Sequence, residues 1–227
     1  MIYHILNGDG LAGSFKLEGE KIICRECLID GNVQAESLEG FWQIRSDFIK
    51  QSVGDKSYFE KVKSEFDKLN HLESTDEVNL WFGNEAFCQV NMWFILSLIW
   101  DKDAIIYRVF SDSGNWSCEF HDLDKCLDSR QKLTNDDIQL GKQLWKAFCS
   151  QDFESLKRLS KTSSDNFPDL NEVCQALIEI DTKPMQILRE LVEDNEIDFG
   201  SLFTQFRAKA GIYGFGDTQF TKLLNKV

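Results

Sequence analysis

Apolar residues recur along this chain at two different spacings, and the change between them marks its organisation. Residues 2–6 form a short apolar run that ends in Asn7-Gly8-Asp9-Gly10, which reads as a buried strand entering a tight turn. Residues 11–17 have room for about two helical turns. Residues 21–28, with Ile22-Ile23-Cys24 at their centre, predict a second strand. Residues 36–53 place Leu38, Phe41, Trp42, Phe48 and Ile49 on one helical face, and residues 56–72 repeat the pattern with Phe59, Val62, Phe66 and Leu69. A third strand is expected at 77–82. The stretch 84–100 is apolar on nearly every side and predicts a buried helix opened by Asn84-Glu85 as cap and first turn. Residues 104–110 predict a fourth strand and 115–120 a short fifth.

After Thr134 only the helical spacing remains. Helices are expected from 134 to 148, then over 152–159, 170–180, 185–193, 199–209 and 218–225. Strands alternating with helices imply a small doubly wound, mainly parallel α/β sheet of four or five strands. The expected division is an α/β ligand-binding-like domain at 1–130 and a helical domain at 131–227, with a boundary near 162–167 as the alternative. The glycine-rich turn at 211–216 suggests a winged-helix-like arrangement in the helical part.

Composition narrows the function. The 227 residues carry 25 basic and 38 acidic side chains, a net charge of −13. Residues 183–227 hold six of each sign, so the whole excess lies before them. Such a surface repels nucleic acid and anionic membranes, and neither is expected as a partner. The first residues lack a basic segment followed by an apolar one, and the longest apolar run contains Gln89 and Asn91. A cytoplasmic protein with seven reduced cysteines is the expectation.

Several groups carry candidate chemistry. Gly8-Asp9-Gly10-Leu11-Ala12-Gly13 fits the dinucleotide-binding glycine pattern between a strand and a helix. Asp9, however, sets a negative charge where a pyrophosphate would rest. Another small polar ligand at Asn7, Gly8, Asp9 and Gly10 fits as well, as does a plain turn in which Asp9 caps the helix. If the first strand lies between the second and third, the crevice at the strands' carboxyl ends is lined by residues 7–10 and 83–85. Asp9, Glu26 and Glu85 would then share one sheet edge, where they could bind a hard cation or simply be solvated acids. Gln89 and Asn91, buried in an apolar helix, need partners, most simply the turn after the first strand. Cys24, Cys27, Cys118 and His121 resemble a zinc set. Cys24 and Cys27, three apart on a strand, would point to opposite faces, so no metal ligand is assigned. No catalytic constellation or named cofactor emerges from these residues.

The order of motifs does resemble a known family. His4-Ile5-Leu6-Asn7-Gly8-Asp9, then Cys24-Arg25-Glu26-Cys27-Leu28-Ile29-Asp30-Gly31, Phe41-Trp42 with Arg45, Leu80-Trp81-Phe82 and Phe87-Cys88-Gln89-Val90-Asn91 are similar to the bacterial domain-of-unknown-function family numbered eighteen thirty-five. The closing stretch from Ile187 to Leu224 is similar to the C-terminal segment that usually accompanies that domain. The resemblance implies the two-part plan and singles out Asn7, Asp9, Arg25, Glu26, Trp42, Arg45, Trp81, Gln89 and Asn91, without implying a reaction. A small polar or phosphorylated ligand at the sheet edge is the leading expectation. A non-catalytic protein-interaction module is the second, motivated by six Trp and 18 Phe, and a metal-assisted enzyme is the third.

Overall fold

The computed structural model describes residues 1–193 and 198–227. Its strands are β1 (Ile2–Leu6), β2 (Glu20–Ile23), β3 (Glu77–Trp81), β4 (Ile105–Val109) and β5 (Gln131–Lys132), in the order β2-β1-β3-β4-β5. The first four pair in parallel, and β5 joins β4 antiparallel. Strand one therefore lies between strands two and three, and the chain reverses direction across the sheet between β1 and β3.

The side-chain alternation of the strands separates two apolar layers. Ile5, Val78, Leu80 and Ile106 face the large core, which takes in α2 (Leu38–Val53), α4 (Ala86–Ile99), α6 (Asn135–Cys149), α7 (Phe153–Leu159) and α8 (Leu170–Ile178). Leu6, Trp81 and Val109 face a smaller cluster with α1 (Asp9–Ser14) and α5 (Leu123–Asp128). The expected α/β sheet with helices on both faces, succeeded by a helical part, is what the structure has. The core runs without a break from the sheet into Leu133, Ile138, Leu144 and Leu177. Helix α4 explains that continuity: it is apolar all round because α6 and α8 enclose the side turned away from the sheet.

Local expectations fail where polar contacts override periodicity. Residues 56–72 do not form one helix. They form a π-helical turn (Phe59–Lys63), α3 (Ser64–Asp67) and a 3-10 turn (Lys68–His71). The Lys61 carbonyl in the wide turn accepts from Arg25 Nη1 at 2.8 Å. Residues 115–120 are not a strand. There the backbone turns through Trp116 at φ 61°. The last helices, α9 (Lys183–Glu193), α10 (Phe199–Ala210) and α11 (Asp217–Leu224), share a third apolar cluster around Leu188, Phe206 and Phe220. Among the described residues α9, α10 and α11 are accompanied by no strand, and so by no wing. Among the described residues no helix is long and apolar enough to cross a membrane.

Candidate functional site

The residues singled out from the sequence fall into three separate places. The first is at the surface. Asp9 is not a helix cap: Gly8 occupies that position with φ 87°, and no side chain caps α1. Asp9 instead receives Arg25 Nε at 2.8 Å, with Glu65 at 3.9 Å from the same guanidinium. A Cβ added at Gly10 or Gly13 would meet no protein atom within 4 Å, so neither glycine is required by packing against the rest of the chain. The glycine pattern here is a turn before a six-residue helix that begins at Asp9.

The second place is inside the protein. Strand β2 ends at Ile23, and the next segment folds inward, so Glu26 does not stand at the sheet edge with Asp9 and Glu85. Its carboxylate is fully buried and bonds Arg45 Nη2 at 2.8 Å, while Tyr58 donates its hydroxyl to the other oxygen. Arg45 also donates to the carbonyls of Asp30 and Cys27 at 2.8 and 3.0 Å. A buried ion pair with all its hydrogen bonds made is a structural element. Trp42 packs beside it, against Tyr58, Phe66 and Phe94. Asn91 ties the same segment down, donating to the Glu26 carbonyl at 2.8 Å and accepting from Leu28 N–H at 3.2 Å. Gln89 staples a different loop, donating to the Gly83 carbonyl at 2.6 Å. Neither amide bonds the turn after β1. Trp81 donates to His4 Nδ1 at 3.1 Å in the smaller core.

The third place is the crevice between β1 and β3, where parallel sheets of this kind hold ligands. Asn7 leaves β1 there, and Glu85 stands at the N-terminus of α4. Glu85 is the capping residue but makes no side-chain cap; the preceding Asn84 turns away to Asp169 and Arg108. One turn along α4, Cys88 comes beneath Glu85, and Cys118 approaches from the loop after β4. Ligand atoms of Glu85, Cys88 and Cys118 lie within 4.8 Å of one another. Asn7 Nδ2 donates to Cys88 Sγ at 2.8 Å. Two oxygens in this crevice, Glu85 Oε2 and Asn7 Oδ1, are buried without a hydrogen-bond partner. Native proteins rarely leave such atoms unpaired, because each costs about 1–3 kcal/mol.

Electrostatics reinforce the geometry. Burial pushes the Glu85 carboxyl up, against the neighbouring thiols and the charge of Arg108. Burial also pushes the Cys88 thiol well up, whereas a hydrogen bond with Cys88 holds Cys118 below its usual value. Arg108 is a fully buried cation on β4, lowered to about 10 by burial. It bonds Asn84 Oδ1 at 2.6 Å and the Asn166 carbonyl, and its Nε has no partner.

Glu85 lines a cavity of about 860 Å³, together with Trp116, Cys118, Phe203, Arg207 and Phe215. The Cα atoms of Gly83 and Gly214 pack so closely on the Glu85 side chain that neither position has room for a Cβ. The chain thus keeps space for this carboxyl from two distant segments. Sequence reasoning placed Glu85 at this edge and named Cys118, but grouped it with Cys24, Cys27 and His121 rather than with Glu85 and Cys88, and it missed Cys88, Trp116 and Arg207. Glu85 and Cys88 are three apart, one helical turn, and that spacing was available as a signal. Nothing in the sequence brings Cys118 or Arg207 to them. No family model, curated protein or solved structure matches this chain.

Proposed function

We propose that the protein binds a small polar ligand in the cavity at the carboxyl end of the sheet, with Glu85 as the polar anchor and α10 and the turn before α11 as the opposite wall. The observation that carries this reading is the buried, unpartnered Glu85 oxygen at the switch point, beside about 860 Å³ of space. A site of this kind is concave, with apolar and aromatic walls and few polar groups. Here Trp116, Phe203 and Phe215 supply the walls, and one cation, Arg207, lines the cavity with three acids, Glu85, Glu119 and Asp217. That balance favours a polar or cationic ligand over a phosphorylated one. The seven free thiols suit a reducing cytoplasm, and the acidic first part argues against nucleic acid and anionic membranes.

The interaction-module reading has less support. The exposed large apolar side chains, such as Val53, Trp100, Phe153 and Phe199, belong to separate elements. The resemblance to the family numbered eighteen thirty-five fits either reading, since it implies no reaction. A melting-temperature panel of sugars, amino acids, polyamines, nucleotides and sugar phosphates, run on the wild type and on Arg207→Ala, tests the proposal. A ligand at 100 times its dissociation constant adds about 2.7 kcal/mol, or roughly 2–4 °C at this chain length. A shift in the wild type that Arg207→Ala reduces supports the site. A shift that the wall variant leaves untouched, or none with any compound, contradicts it.

A further inference from the structure

We infer that Glu85, Cys88 and Cys118 form a binding site for a zinc-class divalent cation, with a fourth coordination position open to the cavity. The inference deepens the ligand-site reading and rests on it only for that open position. Two thiolates and a carboxylate are a donor set that borderline-soft Zn²⁺ accepts and that Mg²⁺ or Ca²⁺ does not favour. Sulfurs bound at about 2.3 Å to a tetrahedral ion stand roughly 3.8 Å apart. The three donors already lie inside a 4.8 Å envelope, so binding requires only side-chain adjustment.

Three further observations point to the same occupant. Glu85 Oε2 is buried and unpartnered beside the sulfurs, which a cation would correct. The Asn7 amide donates to Cys88 Sγ at 2.8 Å, a contact that suits a metal-bound thiolate better than a neutral thiol. Gly83 and Gly214 clear the volume around the carboxyl. The elements come from three parts of the chain: the turn after β1, the first turn of α4 and the loop carrying Trp116 at φ 61°. A non-glycine residue held at positive φ marks a loop fixed by its surroundings. Binding converts both thiols to thiolates and releases their protons to solvent, with no change in oxidation state. Three protein ligands and one open position is the arrangement of zinc sites that exchange an outer ligand.

The experiment uses the full chain, kept in a non-thiol reductant, stripped with chelator and titrated with Co²⁺ as a spectroscopic probe. The expected result is a single equivalent bound, with thiolate-to-cobalt charge-transfer absorption that Zn²⁺ displaces. Cys118→Ser, a change on an exposed loop that leaves the core intact, should weaken that absorption and the affinity together. Asn7→Ala should cost about 10–100-fold in affinity while keeping the absorption. Cys149→Ser, on α6 and outside both the donor set and the cavity lining, should change neither. Absence of thiolate absorption in the wild type overturns the inference. So does absorption unchanged in Cys118→Ser, or a Cys88–Cys118 disulfide as the stable state under reductant. The compound panel, repeated on the metal-free chain, separates the readings: a ligand shift without cobalt absorption removes the metal and leaves the cavity.

Discussion

The Cα of Gly214 lies against the side chain of Glu85, so close that a Cβ there would overlap Glu85 Cγ and come within 2.8 Å of Phe87 Cβ. The residues are far apart in sequence, yet the C-terminal turn closes over the sheet-edge carboxyl with no methyl to spare. Gly214 also has φ +68°, which disfavours any other residue. Gly214→Ala should therefore destabilise the protein by about 1–3 kcal/mol. It should also displace Glu85 and abolish cobalt absorption. Gly10→Ala, at an open position, is the control, and chemical denaturation compares them. Equal stability of the two variants would mean that the C-terminal turn does not close on Glu85.

The two ion pairs near the first turn should behave in opposite ways. Asp9 and Arg25 pair at the surface, where such contacts contribute about 0–1 kcal/mol. Asp9→Ala should change stability by no more than that and leave any ligand response intact. Glu26 and Arg45 are both fully buried. Glu26→Gln leaves the Arg45 charge uncompensated and should cost about 3–5 kcal/mol. Tyr58→Phe should cost less, about 1–3 kcal/mol, because the ion pair survives. Urea midpoints measure all three. A Glu26→Gln variant as stable as the wild type would show that water reaches the pair.

Glu26 also shows where the sequence stops being informative. Reading Cys24 to Leu28 as strand kept its carboxylate at the sheet edge. The strand ends at Ile23, Cys24 N–H makes a last bond to the Leu6 carbonyl at 2.9 Å, and the path of residues 25–28 is set by long-range bonds from Asn91 and Arg45. Arg45 itself offered a clue, since it shares a helical face with Phe41, Trp42, Phe48 and Ile49, where a charge must find a buried partner. Strands β1, β3 and β4 and helix α4 were legible because apolar residues dominate them, with His4, Asn79, Arg108 and the Gln89 and Asn91 amides as the main breaks in the runs. The rest of the crevice was not, because Cys118 comes to Glu85, and Arg207 to the same cavity, only through tertiary packing, which leaves no periodic trace.

His4 should make stability depend on pH. Its Nδ1 accepts from Trp81 and its Nε2 faces the Glu18 carbonyl, which fixes the neutral ring with the proton on Nε2. Burial lowers its pKa, against that carbonyl. Below roughly pH 6.5 the unfolded chain takes up a proton that the folded ring refuses. Stability is therefore complete above that pH and declines as pH falls from roughly 6.5 through the lowered value of the folded ring. His4→Phe should be less stable at neutral pH but flat across this window. A wild-type midpoint that is constant from pH 7 to 5, against the roughly 6.5 of an ordinary histidine, would refute the assignment.

Asp137 should act at lower pH. It closes the capping box of α6 with Thr134 and accepts from Ser164 and Asn166 at 2.6 and 3.0 Å. Burial raises its pKa, but these hydrogen bonds outweigh it and the net shift is downward. The stabilisation is present above the ordinary carboxylate value of about 4 and is lost as pH falls through the lowered one. Asp137→Asn should cost about 1–3 kcal/mol at pH 7 and soften the acid transition. Differential scanning calorimetry across this range would show it, and an unchanged acid limb would count against the assignment.

The most direct test of the crevice is residue-resolved alkylation coupled to mass spectrometry. Cys118 is the exposed cysteine; Cys27 and Cys149 are partly buried, and Cys24, Cys88, Cys126 and Cys174 are buried. In the metal-free, ligand-free chain, Cys118 should react first with iodoacetamide. Adding Zn²⁺, or any compound that raises the melting temperature, should protect Cys118 selectively while Cys27 and Cys149 keep their rates. A Cys118 that reacts at the same rate with and without every such addition would contradict a binding site at Glu85.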